Sequence, residues 1–375
     1  MSSKMEALTH LKYQVLIWKF IGIIPSITQK SFIIAVFVHI IGDFLFLPTL
    51  IMGCTKAPNS QELILGLAYA IPILCVVFRV VSTNFNYQQI IKVSEILDCL
   101  HENSKEFKEE YESIESAIQK SQKLFKFICS FYYSSVTIME ILVTFVLPGR
   151  NLMAPMWVPF IDWKQSLMTY GLANLFQYIG IMYQVGLGAA LDTEPAGNII
   201  LMTGYMQFLR KRVAKLGWDQ SKSKDDNYKE LIECISYHGT LLKLFKEISK
   251  AISRGLFLLY FMSALAQCCF AVSVIHADTQ TSFVLTLLLV SSTFETFVPC
   301  LFGDNLHYES ELLAYAVADC NWMDQHQKFK KDLIFFTRNT QKPLTVLAGG
   351  HIPCSMSTFV ALQKLAYSIF VLFKE

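Results

Sequence analysis

The chain has 375 residues, of which 53% are hydrophobic and 17% charged, and its mean hydropathy is +0.40. That is too apolar for a soluble globular protein of this length, so most of it belongs in lipid. A net charge of +2 gives no footprint for a nucleic-acid partner, and ten scattered cysteines without a Cys-x-x-Cys pair imply neither a disulfide framework nor a zinc site.

Within the first 30 residues, Tyr13 to Ile27 is semi-apolar, broken by Lys19 and Pro25. It is too short to span and suits the inner interface. Ser31 to Gly53 predicts the first span, with His39 and Asp43 four residues apart on one helical face. Such a pair either holds an ion or proton or fastens the helix to a neighbour. The second span follows at Glu62 to Ser82. Asn84 to Lys123, rich in Glu and Lys at three- and four-residue spacings, predicts a helical hairpin in water. The third span, Leu124 to Leu147, holds Tyr132, Tyr133, Ser134, Ser135, Thr137 and Glu140. Glu140, an acid in an apolar run, either pairs with another helix or borders a cavity. Prolines and tryptophans between Pro148 and Lys164 mark an interfacial loop.

Gln165 to Leu191 predicts the fourth span, on which Tyr170, Asn174, Gln177 and Tyr178 recur at a helical period. The helical pattern resumes after Pro195 and runs on to Leu216, so this helix projects beyond the membrane, and Gly217 to Tyr228 is its turn. Lys229 to Arg254 returns as an amphipathic helix with apolar positions at Leu231, Ile235, Leu241, Leu242 and Phe245. Gly255 to His276 and Thr281 to Phe302 predict the fifth and sixth spans, and Gly303 to Lys342 is amphipathic and charged. After Gly349-Gly350 and Pro353, Ser355 to Phe373 is a nearly continuous apolar helix of roughly 28 Å, enough to cross a bilayer. Ser355, Ser357, Thr358, Gln363, Lys364 and Ser368 interrupt it, and such groups either bond to neighbouring helices or line an aqueous path.

The fold class is therefore an all-α integral membrane protein with seven transmembrane helices. It divides into an N-terminal segment (1–30), a six-helix bundle (31–302) with extensions at 84–123 and 201–254, anchor helices (303–354) and a last helix (355–375). With the N-terminus inside, 27 of the 32 Lys and Arg fall on the inner side, against Lys56, Arg150, Lys164 and Lys374 outside. The basic bias thus places the N-terminus in the cytoplasm and the C-terminus outside. No phosphate-cradling loop, zinc-binding helix or nucleophile elbow is present, and an enzyme would need ionisable groups converging at one membrane depth. His39, Asp43 and Glu140 are the only candidates for that, so neither an enzyme nor a cofactor is expected.

The C-terminal residues Ala348-Gly349-Gly350, Pro353, Thr358-Phe359, Lys364 and Ala366-Tyr367-Ser368 together resemble the signature of insect odorant receptors. Gly303-Asp304, Glu309-Ser310 and Trp322 fit the same family's weaker upstream pattern, while Ala318 departs from it where a tyrosine is usual. The resemblance implies the odorant-specific subunit of a ligand-gated, non-selective cation channel in the plasma membrane of olfactory sensory neurons. It also implies a co-receptor partner in a hetero-oligomer, taken as a tetramer, with the cytoplasmic helices meeting between subunits and the last helix lining the pore. On that helix Phe370 and Lys374 share a face; Phe370 is the candidate apolar gate, and Phe373 and Lys374 complete the outer mouth. The implied ligand, a small apolar volatile and potentially an aromatic one, would sit in the outer half of the bundle. Residues at that depth are Tyr69, Ala70, Ile73, Thr137, Ile138, Ile141, Tyr170, Asn174, Tyr178, Gln267 and Phe283. A gustatory-type channel of the same superfamily is an alternative. A G-protein-coupled receptor is a weaker one, because it requires the opposite orientation.

Overall fold

A computed structural model describes residues 8–20, 42, 45–146, 149, 151–158, 162–277 and 279–374. A 3₁₀ turn at Thr9–Leu11 leads into α1 (Lys12–Phe20). Next come α2 (Phe46–Thr55), α3 (Ser60–Phe85), α4 (Tyr87–Ser104) and α5 (Lys108–Ile141), the last ending in a π turn at Leu142–Val146. Three long helices follow: α6 (Leu167–Ala214), α7 (Lys224–His276) and α8 (Thr279–Asp319). The chain closes with α9 (Gln327–Thr340), an antiparallel hairpin pairing β1 (Leu347–Ala348) with β2 (Ile352–Pro353), and α10 (Met356–Lys374). Of the expected first span, only residue 42 and residues 45–53, most of them in α2, are described, and His39 and Asp43 lie outside the described residues.

Among the described residues, four helices, α3, α5 with its π turn, α7 and α8, contain stretches long and apolar enough to cross a membrane, and α2 and α10 are shorter apolar helices. The composition of α6 is more polar, and its position accounts for that. Every residue from Leu187 to Met202 is buried, so this helix runs through the middle of the molecule, against α5 on one side and α8 on the other. A helix shielded by protein can carry Asp192, Glu194 and Asn198, which lipid would reject.

The expected junctions between cytoplasmic and membrane segments at Arg254 and Phe302 are not helix ends. Instead α7 and α8 run straight through them. A change from polar to apolar composition marks a change of solvent, and the backbone hydrogen-bond ladder is indifferent to it.

Prolines stand inside α3, α6 and α8 at Pro72, Pro195 and Pro299. Each lacks an N–H, so the carbonyl four residues earlier, at Ala68, Leu191 and Glu295, loses its helical donor. At Leu191 a replacement is present, because the Arg79 guanidinium donates to that carbonyl and to the Asp192 carboxylate one residue on.

The main core surrounds the C-terminal half of α6. Its buried members include Trp18 of α1, Leu97 and Leu100 of α4, Ile114 of α5, Tyr205 and Phe208 of α6, Leu241 and Leu244 of α7, and Phe329 and Phe336 of α9. At its edge the buried His10 ring bonds through Nε2 to Asn198 Oδ1 (3.0 Å), and burial pushes its pKa down to about 4.

The base of α10 is tightly specified. Gly349 (φ +61°) and Gly350 (φ +79°) adopt the left-handed conformation that a side chain disfavours, which turns the hairpin onto α7. There their amides donate to Ser253 O (2.9 Å) and Ser253 Oγ (3.1 Å). On α8, Asp304 Oδ2 accepts from the Met356 amide (2.9 Å) and so caps the start of α10. Beside it Gly303 lies so close to the chain that a Cβ would stand 2.0 Å from the Cys354 carbonyl oxygen.

Candidate ligand cavity

Helices α3, α5, α6, α7 and α8 surround a cavity of about 150 Å³. Its walls are largely apolar: Tyr69, Ile73 and Val76 from α3, Val136 and Met139 from α5, Ile181 and Val185 from α6, Phe270 from α7 and Leu288 from α8. Met153, from the segment before α6, also reaches it. Tyr69 and Phe270 meet edge to face at 6.1 Å, a geometry that fixes both rings.

One end of the cavity is charged. Arg79, Tyr132, Asp192 and Glu295 line it from α3, α5, α6 and α8 respectively. Asp192 is held on both oxygens, Oδ1 by Arg79 and Oδ2 by the Tyr132 hydroxyl (3.3 Å). The end therefore sets one guanidinium against two carboxylates in a setting from which bulk water is largely removed, where charge interactions are strong.

From the sequence, His39, Asp43 and Glu140 are the only candidates for ionisable groups converging at one membrane depth, and the structure corrects that. Arg79, Asp192 and Glu295 converge, whereas Glu140 accepts from Thr144 Oγ1 (3.1 Å) and from Asn174 of α6, which is the expected pairing with another helix. The Arg79 side chain is only 3% exposed. Its position within an apolar run, together with Glu295 in another, was the available signal.

Of the expected ligand residues, Tyr69 and Ile73 line the cavity, and Ala70 is buried beside them. Thr137 and Tyr178 approach each other across α5 and α6 (3.4 Å), and Asn174 donates to Thr144 Oγ1 (3.0 Å), so these three form a polar seam outside the cavity lining. Tyr170 donates to Asn151 O (2.9 Å). Gln267 donates to Ser263 Oγ and Ser292 O (both 3.1 Å), clamping α7 to α8. Ile138, Ile141 and Phe283 are exposed on the outer surface of the chain. The wall residues not anticipated, Val76, Val136, Met139, Met153, Ile181, Phe270 and Leu288, are ordinary aliphatics or single aromatics that no spacing distinguishes from core.

In α10, Phe370 is half-buried against Tyr367 (6.0 Å), and the side chains of Phe373 and Lys374 lie outside the described residues. Phe359, nearer the start of α10, packs edge to face on Phe297 of α8 at 5.4 Å. Phe297 in turn meets Phe294 (6.1 Å), and Phe294 meets Phe131 of α5 (5.8 Å), next to Tyr132 at the charged end. A row of rings thus leads from the cavity to the last helix.

A sequence profile described as 7tm Odorant receptor matches residues 59–367. Over 98% of this chain and 97% of its own length, Odorant receptor 2a of Drosophila melanogaster is 27% identical. Odorant receptor 59b of the same organism is 28% identical over 62% of this chain and 58% of its own. Among solved structures, the insect olfactory receptor OR5 from Machilis hrabei superposes with a TM-score of 0.73 at 13% identity, covering 92% of this chain and 90% of that one. The same receptor in complex with eugenol gives 0.75 at 13% identity, covering 98% of both. The all-α, multi-pass membrane fold is therefore shared with that receptor.

Proposed function

Because this chain belongs to the 7tm odorant receptor family, a family of receptors and not of enzymes, we propose that it is an odorant-specific subunit of a ligand-gated, non-selective cation channel. The observation that carries the reading is the cavity between α3, α5, α6, α7 and α8. An apolar space of about 150 Å³ suits a molecule near the size of benzene, which is a small volatile. Eugenol in complex with the similar OR5 supports the same ligand class.

Binding would reach the pore through the ring row from Phe131 to Phe359, since α8 both lines the cavity and seats α10. Phe370, Phe373 and Lys374 are the proposed pore residues of α10. The partner would be a co-receptor subunit in a hetero-oligomer, taken as a tetramer, in the plasma membrane of olfactory sensory neurons, with the N-terminus cytoplasmic. Trp322 and Phe335 are exposed on the extension formed by α8 and α9, as are Tyr308, Tyr315 and Ile334, and this supports the anchor helices as the contact between subunits. Leu313, by contrast, is part of the chain's own core.

The test is whole-cell current in cells expressing this chain with an insect odorant co-receptor, across a panel of volatiles. Volatile-evoked cation current should require both chains. Current identical to that of the co-receptor alone for every volatile would count against the reading.

A further inference from the structure

The charged end of the cavity holds more than the cavity needs to keep its own groups paired. Asp192 is occupied on both oxygens, and Arg79 is committed to Asp192 and the Leu191 carbonyl. The hydroxyls lining the cavity have partners within the chain: Tyr132 donates to Asp192, Ser135 to Phe131 O (2.7 Å) and Ser291 to Leu287 O (2.9 Å), while Ser292 Oγ pairs with Ser263 Oγ (3.0 Å). Glu295 is different. It lines the same space, where the charges of Arg79 and Asp192 act on it, yet among the described residues its carboxylate makes no hydrogen bond and no contact ion pair. Pro299, four residues later in α8, also leaves the Glu295 backbone carbonyl without a helical donor. Among the described residues, Glu295 is thus the carboxylate of this end that no side-chain donor of the chain has taken up.

An unmade hydrogen bond at a partly buried carboxylate is costly, and a guest that supplies the donor recovers that cost on binding. We propose that Glu295 anchors ligands bearing a hydrogen-bond donor, an amine or a hydroxyl, on a small apolar body that lies against Tyr69, Ile73 and Phe270. This inference rests on the reading of the cavity as the volatile site and adds which volatiles it takes. Within the class, a protonated amine gains further, because it balances the second carboxylate.

The matched series 2-phenylethylamine, 2-phenylethanol, phenylacetaldehyde and propylbenzene keeps the apolar body nearly constant and varies the head: charged donor, neutral donor, acceptor only, neither. With the co-receptor present, the amine and the alcohol should evoke half-maximal current at concentrations about tenfold below the other two, the difference of one good hydrogen bond. Glu295→Leu should bring all four to within about twofold of one another. Glu295→Gln, which keeps the shape and an acceptor oxygen but not the charge, should cost the amine more than the alcohol. Surface labelling of each variant separates lost binding from lost folding, and the glutamine isostere keeps the test open if the leucine variant does not reach the surface. The inference is overturned if propylbenzene or phenylacetaldehyde is as potent as the donors in the wild type, or if both variants keep the wild-type order. In either case volatile-evoked current persists and the receptor reading stands. Silence toward every volatile would instead remove that reading, and this inference with it.

Discussion

Arg79 illustrates how a single residue can be forced by its neighbours. Its guanidinium answers two needs at once: the carboxylate of Asp192, and the Leu191 carbonyl that Pro195 leaves without a partner. Removing one member of a buried pair strands the other, at about 3 to 5 kcal/mol. Arg79→Leu or Asp192→Leu alone should therefore abolish surface expression. The double substitution should recover part of it, and adding Pro195→Ala should recover more by restoring the helical donor to Leu191. Surface labelling and thermal midpoints in detergent measure this; a double variant no better than either single would break the argument. His10 makes a second prediction. Its pKa is about 4 in the fold against about 6.5 unfolded, so the unfolded chain binds the extra proton between those values. Stability is then full above about pH 6.5 and falls by on the order of 2 kcal/mol between pH 7 and pH 5. His10→Gln, which can still bond to Asn198, should flatten that profile in thermal melts. Of the cavity wall, Tyr69 and Ile73 are legible because an aromatic and a branched aliphatic on the second span stand at the expected depth. The charged end escaped because its three ionisable groups lie on three helices, Arg79, Asp192 and Glu295, far apart in the chain and each surrounded by apolar neighbours.

At the scale of elements, most helix positions could be read from hydropathy, because lipid demands long uninterrupted apolar stretches and tolerates little else. The second span, expected at Glu62 to Ser82, lies inside α3, and the last, expected at Ser355 to Phe373, nearly coincides with α10. The fourth, expected at Gln165 to Leu191 with an extension to Leu216, matches α6, and composition fails to mark helix ends at Arg254 and Phe302, where α7 and α8 are continuous. The Gly303-Asp304 pair, visible in the sequence only as a resemblance, has a physical reason in the fold. Glycine lets α8 press against Cys354, and the aspartate caps α10. Gly303→Ala should cost about 3 kcal/mol, because the obstructing atom is backbone and cannot rotate away. Asp304→Ala should cost about 1 kcal/mol, the ordinary value of a lost cap. Thermal midpoints of the purified variants give the order; an Asp304→Ala loss equal to or above that of Gly303→Ala would contradict it.

For the whole molecule, orientation is the property on which the channel reading depends most. The distribution of Lys and Arg predicts that a tag at Ser2 is reached by antibody only after permeabilisation, and that one following Glu375 is reached on intact cells. The reverse pattern would turn the chain over in the membrane. Architecture also has a mechanical consequence. Helices α6, α7 and α8 pass the cavity and continue well beyond it as single rods, α7 alone being roughly 80 Å long at 1.5 Å for each of its 53 residues. A stiff rod converts rotation into displacement. A tilt of about 3° imposed by a guest at the cavity becomes a sideways movement on the order of 2 Å some forty ångströms away, the size of shift that helices at subunit interfaces make when assemblies switch. On the proposed function the long helices would serve as gearing: a molecule near the size of benzene, which has little room to push, would move the far end of the protein by a distance that neighbouring subunits would register.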